Sequence, residues 1–278
     1  GMKGCQDSYK QFMNIKKYMR DPKTGLYYHG YDESRQMYWA DPVTGCSANF
    51  WLRAMGWFLV AMVDVLERMD EQMYYEYRAI MAMFKEAVEA MIQFQDAETG
   101  MFWQVIDKAG VPGNYLETSG SSLFAYAVLK GVRLGYLPKR FRAYGEKAFY
   151  GTCDKYLGVN DKGELQLSGI CLVAGLGGAT RRDGSLEYYF SEPVVENDAN
   201  LAAIAEYARL LKEDDDGVSA SDDGGSDSDG GSGASGHVDV SGHEEVNGHE
   251  DAGGHEGVSG NVATLLSGER LGAGLIVD

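Results

Sequence analysis

Phe50-Trp51-Leu52-Arg53-Ala54-Met55-Gly56-Trp57-Phe58-Leu59-Val60-Ala61-Met62-Val63-Asp64-Val65-Leu66-Glu67-Arg68-Met69 decides how the rest of the chain is read. Apolar residues fall on nearly every side of the helix this stretch predicts, the pattern of a helix buried all round. The next segment, about Met73–Gln95, places Met73, Tyr77, Ile80, Phe84, Ala87, Met91 and Phe94 at helical spacing, with Lys85, Glu86 and Glu89 between them. That spacing predicts an amphipathic helix. A second pair is expected over Ser121–Leu134 and Lys139–Leu157, with Ser119 as N-cap, Gly135 just past the first helix and Pro138 leading into the second. A last helix is expected over about Ala199–Lys212. Strand signals are few, the best being Gly184–Phe190.

The loops between these pairs repeat. Asp21-Pro-Lys-Thr-Gly25 and the large side chains after it align with Asp96-Ala-Glu-Thr-Gly100, and a looser copy follows at Asn160-Asp-Lys-Gly163. Each holds a Gly suited to positive φ and then runs towards the next buried helix. Repeats of one helical hairpin each predict an all-α fold, a closed or stacked array of the α/α-toroid type. Buried helices would form its inner ring, and the repeat loops would line the mouth of a central funnel.

The 278 residues are 44% hydrophobic, enough for a sizeable core. Net charge is −17, unevenly placed. Residues 1–212 hold 24 Lys and Arg against 26 Asp and Glu, whereas residues 213–278 hold Arg270 against 16 acidic residues. Residues 1–212 are therefore read as the folded domain and 213–278 as an acidic, low-complexity tail. A nearly neutral domain argues against nucleic acid as a partner. Within the tail, His237, His243, His249 and His255 recur every six residues, read as an expanded repeat without selected metal-ligand geometry. Cys5, Cys46, Cys153 and Cys171 lie far apart with no CxxC pair, so neither a zinc ribbon nor a disulfide framework is expected. A reducing, cytoplasmic setting fits that usage. The longest strongly apolar run, between Arg53 and Asp64, is about half of the ~20 residues a membrane span needs, and no membrane partner is expected.

Chemistry concentrates at one end of the Phe50–Met69 helix. His29 is the one histidine outside the tail, followed by Asp32 and Trp39. Arg53 and Trp57, four apart, share a helix face, and Trp51 stands at the helix start. A guanidinium is a planar fork that matches a carboxylate, and an indole offers the flat apolar face on which sugars stack. An anionic sugar is the ligand this set suggests, with Gly56 leaving room for it. The competing reading puts the Trp residues in the core and pairs Arg53 with Asp32 or Glu33. Trp103 could line the funnel or belong to the core. Thr118, in Glu117-Thr-Ser-Gly-Ser121, could show its hydroxyl to a sugar or simply open a helix.

Five segments in order strengthen the sugar reading: His29-Gly-Tyr-Asp-Glu33, Phe50-Trp-x-Arg-Ala-Met-Gly-Trp57, Gly100-Met-Phe-Trp-Gln104, Tyr115-Leu-Glu-Thr-Ser-Gly-Ser121, and Arg182-Asp-Gly-Ser-x-Glu-Tyr-Tyr189 with Ser191-Glu-Pro and Glu196-Asn-Asp198 after it. Together they resemble the unsaturated rhamnogalacturonyl hydrolases of glycoside hydrolase family 105, related to the unsaturated glucuronyl hydrolases of family 88. The resemblance implies an (α/α)6 toroid. It also implies a substrate left by a polysaccharide lyase, an oligosaccharide whose terminal uronic acid carries a C4=C5 double bond. In that chemistry an Asp protonates the vinyl ether at C4, water adds at C5, and the hemiketal opens to release the neighbouring sugar, so the spacing rule for paired carboxylates does not apply. Carried across by position, Arg53 would hold the uronate carboxylate, Trp51 and Trp57 would bracket the ring, and His29 would hydrogen-bond the substrate or the water. No metal or organic cofactor is implied.

The family's catalytic Asp and a second Asp fall before the equivalent of Gly4, so the chain is expected to supply about half of the ring, the C-terminal part. Neither Asp32 nor Asp41 matches the proton donor's motif. Half a ring would leave apolar faces of inner helices bare and favour self-association. The alternative to an enzyme is a non-catalytic sugar-binding or interaction remnant of the same fold. Another toroid, of prenyltransferase or terpene-cyclase type, predicts a DDxxD-like run that residues 1–212 lack.

Overall fold

A computed structural model describes residues 2–69, 71–179 and 181–197. The expected helix at 199–212, the domain boundary after Lys212 and the Gly-His repeat lie outside the described residues. Among the described residues five long helices carry the fold: α1 (Met2–Met19), α2 (Leu52–Arg68), α3 (Tyr74–Ile92), α4 (Thr118–Arg133) and α5 (Arg142–Tyr156). A hairpin of β1 (Leu157–Val159) and β2 (Leu165–Leu167) follows, antiparallel, with Leu157 opposite Leu167. The chain continues through β3 (Ile170–Cys171) and the short α6 (Leu186–Ser191) to β4 (Val194–Val195), which pairs with β3.

The larger of two hydrophobic clusters among the described residues runs through the helices, with Leu52, Leu59, Met62, Ile80, Phe84 and Phe124 all buried. Side chains of this size each contribute roughly 1.5–3 kcal/mol on burial. The smaller cluster gathers Trp51, Val105, Cys171, Ala174 and Tyr189. Glycines bring α2 and α4 unusually close. A Cβ on Gly120 would stand 2.3 Å from Leu52 Cγ, and one on Gly56 would stand 2.8 Å from Leu123 Cβ. The space beside Gly56 is therefore filled by the neighbouring helix, not left for a ligand.

Three further expectations need correction. α2 is not buried all round: Trp57 is 54% exposed and Ala61 is exposed, with half-buried Ala54 and Val65 completing an apolar stripe on the side away from α4. The cap of α4 is Glu117, not Ser119; its side chain accepts from the backbone N–H of Ser119 and Gly120. Gly184–Phe190 is not a strand. Gly184 turns the chain at φ 70°, Ser185 caps the next turn by accepting from Tyr188 N, and 186–191 closes as α6.

The expected stop of α4 holds in detail. Gly135 takes φ 75°, its N–H donates to Val132 O, and Tyr136 N–H donates to Gly131 O, the paired bonds of a Schellman ending. The repeated loop occurs three times in the same form. At Asp21, Asp41 and Asp96 the carboxylate accepts from the Thr three residues on, and the Gly N–H donates back to the Asp carbonyl. The copy at Asp41-Pro-Val-Thr-Gly45 escaped the sequence reading, although it shares the Asp-x-x-Thr-Gly pattern. Asn160–Gly163 instead turns the β1–β2 hairpin.

Candidate functional site

Three extended segments lie side by side at the N-terminal ends of α2 and α4. Trp51 bridges Val105, and Trp103 bridges Leu116. Leu52 N–H donates to Gln104 O, Gln104 N–H to Tyr115 O, and Glu117 N–H to Phe102 O. The ladder fixes where each helix starts and so where Trp51 and Arg53 stand. A fourth segment joins through His29 N–H donating to Asn49 O, and the Asn49 side-chain amide donates to Gly184 O ahead of α6.

His29, Trp51 and Tyr189 form an aromatic cluster on this platform. The His29 ring lies 4.6 Å from Trp51, and Trp51 stacks on Tyr189 at 6.4 Å and 23°. His29 Nδ1 is 2.6 Å from the Tyr189 hydroxyl. Burial pushes the imidazole pKa down to about 4 and pushes the Tyr189 phenol well up, so both are neutral near pH 7. The indole Nε1 of Trp51 is buried without a hydrogen-bond partner among the described residues.

Arg53 is not the free fork that the sequence suggested. Nε donates to Ser119 Oγ at 2.7 Å, Nη1 to Leu172 O at 3.1 Å, and Nη2 to Cys171 O. Glu117 Oε1 lies 3.7 Å from Nη2 and supplies the counter-charge. Glu117 itself is fully buried and also accepts from Ser119 Oγ, Gly120 N and Cys171 N. The sequence offers Asp32 or Glu33 as an internal partner for Arg53. Neither takes that place, because Asp32 is spent on its own loop, accepting from Ser34, Gln36 and Met37 N–H. Nor is Arg53 held between two indoles. Its guanidinium carbon lies 5.4 Å from the Trp51 ring, with no such contact to Trp57 among the described residues.

Of the other singled-out residues, Thr118 is fully buried and its hydroxyl donates to Ser168 O at 2.7 Å, so it has nothing to show a sugar. Trp103 is half-buried in the ladder. Asp32 and Asp41 are exposed-loop carboxylates held below the ordinary range by backbone N–H groups, which favours the ionised form. The sequence reading missed Tyr189 and the clamp role of Glu117. The Tyr188-Tyr189 pair inside the fifth segment was the available signal for the first, and the acidic residue before a run of small polar ones for the second. All four described cysteines are free thiols. Among the described residues no group of three or more His, Cys, Asp or Glu could hold a metal ion, and no helix is long and apolar enough to cross a membrane.

The model of glycosyl hydrolase family 88 matches residues 3–211, three-quarters of the chain. The chain belongs to glycosyl hydrolase family 88. Protein Atu3128 of Agrobacterium fabrum is 41% identical over 182 residues, covering 63% of this chain and 76% of that protein. Unsaturated rhamnogalacturonyl hydrolase YesR of Bacillus subtilis is 29% identical over 129 residues, 46% of this chain and 34% of that one. A solved family 105 glycoside hydrolase of C. acetobutylicum superposes with a TM-score of 0.72 at 40% identity, covering 75% of this chain. The chain spans only 59% of that structure's length. This family 88 chain is thus all-α, of the toroid class that the hairpin repeats predicted, with four short strands among the described residues as the exception.

Proposed function

We propose that this family 88 chain holds the 4,5-unsaturated uronic acid at the non-reducing end of a lyase-generated oligosaccharide, as part of a hydrolase of the unsaturated rhamnogalacturonyl type. The observation that supports the reading is the His29–Trp51 pair, an imidazole tilted against an indole at 4.6 Å, in a chain that superposes on a family 105 glycoside hydrolase. Trp51 does not bracket the sugar ring as expected, because it is buried against His29, Tyr189 and Arg53. Its part is to hold the His29 ring in place, and exposed Trp57 is the indole free to meet sugar. Arg53 contributes less than a free fork. Every guanidinium nitrogen already donates once and Glu117 balances the charge, which leaves one uncommitted N–H on each of Nη1 and Nη2 for a carboxylate. Protonation at C4 needs an acid, and the lowered pKa of Asp32 and Asp41 makes each a poor donor.

That last observation favours a second reading for the chain taken alone, a sugar-binding module without turnover. Incubation with an unsaturated uronyl-rhamnose disaccharide separates the two. Loss of the ultraviolet absorbance of the conjugated double bond, with free rhamnose released, marks the hydrolase. A saturable change in Trp fluorescence with absorbance intact marks the binder. Neither signal would refute both readings. The self-association expected of a bare inner-helix face belongs to the same proposal, through the Ala54–Trp57–Ala61–Val65 stripe.

A further inference from the structure

We propose that Tyr189 is a positioning residue that fixes His29 in its Nε2–H tautomer, so that the imidazole meets a ligand as a hydrogen-bond donor and not as a base. Its consequence for the sugar rests on the function proposed above; the tautomer itself does not.

The assignment follows from donor and acceptor accounting. Tyr189 is fully buried, and Nδ1 of His29 is the partner of its hydroxyl, 2.6 Å away. If Nδ1 carried the proton and donated to the phenol oxygen, the hydroxyl hydrogen would be left buried without an acceptor among the described residues, at about 1–3 kcal/mol. If the phenol donates to Nδ1, both groups are satisfied and the ring proton sits on Nε2. A doubly protonated ring is excluded near neutral pH by burial, which lowers the imidazole pKa to about 4. The phenol stays protonated, because burial together with the nearby Tyr188, Asp183 and Cys171 raises its own pKa.

The surroundings hold this geometry rigidly. Tyr189 O accepts from the Gln104 side chain at 3.0 Å, Gly184 is tied to Asn49, and His29 N–H is tied to Asn49 O. Trp51 packs against both rings, so neither can turn without disturbing the other. His29 Nε2 has no hydrogen bond to another described group and is not among the fully buried, unpartnered polar atoms. It is the atom left to face a ligand. An Nε2–H donor suits a carboxylate or hydroxyl oxygen of a uronic acid. It cannot take a proton from the water that adds at C5, so that task falls to another group.

The test is a long-range ¹H–¹⁵N correlation spectrum of the uniformly labelled full chain, with the His29 signals assigned by their loss in His29→Gln. The expected result is the Nε2–H pattern, unchanged from about pH 5 to about pH 8, where a free imidazole would titrate. In Tyr189→Phe, Nδ1 loses its donor, and a mixed tautomer population should appear. Binding of the unsaturated disaccharide should weaken roughly fivefold to tenfold, the cost of one misdirected hydrogen bond. An Nδ1–H or imidazolium pattern in the wild type would overturn the proposal, as would a His29 spectrum indifferent to Tyr189→Phe. The wild-type spectrum decides even if the variant fails to fold. A chain that shows the Nε2–H pattern yet binds no sugar would refute the function and leave the tautomer standing.

Discussion

Replacing Glu117 by alanine removes the carboxylate that joins α2, α4 and β3. Arg53 would then keep its charge, almost fully buried, with only neutral oxygens around it. Breaking a buried ion pair from one side costs about 3–5 kcal/mol. The N–H groups of Ser119, Gly120 and Cys171 would also lose their acceptor, each at about 1–3 kcal/mol where water cannot enter. These losses overlap and do not add fully, so the expected destabilisation of Glu117→Ala is about 4 kcal/mol or somewhat more. Native stability is only about 5–15 kcal/mol, so the variant should be close to unfolding at room temperature. Glu117→Gln keeps the shape and an acceptor but turns an amide N–H₂ towards other donors, and should lose about 2 kcal/mol. With a urea slope near 2 kcal/mol/M, the alanine variant's midpoint should fall by about 2 M. Arg53→Met in both backgrounds completes a double-mutant cycle, with an expected coupling of about 2 kcal/mol. An alanine variant that loses less than about 1 kcal/mol, or a cycle additive within about 0.5 kcal/mol, would refute the argument that Glu117 holds Arg53.

Acid should weaken the fold through His29. Its folded pKa, about 4, lies below the ordinary value, so the unfolded chain binds more protons between the two. Stability is fully present above about pH 6.5, falls as pH drops towards 4, and loses up to about 3 kcal/mol on that account. Urea midpoints at both ends of the window should show a flatter pH slope in His29→Gln; an identical slope would contradict the burial. Gly120→Ala should destabilise by about 1–3 kcal/mol, because steric conflict with Leu52 outweighs the helix propensity of alanine. Gly4→Ala on the open side of α1, where no atom lies within 4 Å, should be neutral or stabilising; thermal melts compare the two. Trp57→Glu should lower any association number seen by sedimentation, since it charges the middle of the apolar stripe.

How far the sequence could be read depended on distance along the chain. The second to fifth helices were placed within a few residues, because periodicity, Gly135 and Pro138 are local signals. Met2–Met19 gives a weaker signal: Tyr9, Phe12, Met13 and Met19 recur at helical spacing, but Lys and other polar residues fill much of the rest of the helix. The 184–190 segment reads as a strand from its aromatic residues, yet the turn at Gly184 and the cap at Ser185 start a helix there. At the site, His29, Trp51 and Arg53 were legible as types. Their partners were not, since Glu117 lies 64 positions from Arg53, and Tyr189 is 160 positions from His29. Ser119 looked like the cap because serine is a common one. Glu117 won because a longer carboxylate can serve the helix end, Cys171 and Arg53 together. The exposure of Trp57 could not be read either, since an apolar helix face looks the same whether or not another element covers it.

Calorimetric titration of the full chain with an unsaturated uronyl-rhamnose disaccharide, beside its saturated counterpart, tests the reading of the His29–Trp51 platform most directly. The expected result is saturable binding of the unsaturated sugar, weakened at least tenfold in Trp51→Ala and in His29→Ala. Equal affinity in both variants, or no heat from the unsaturated sugar, would contradict it.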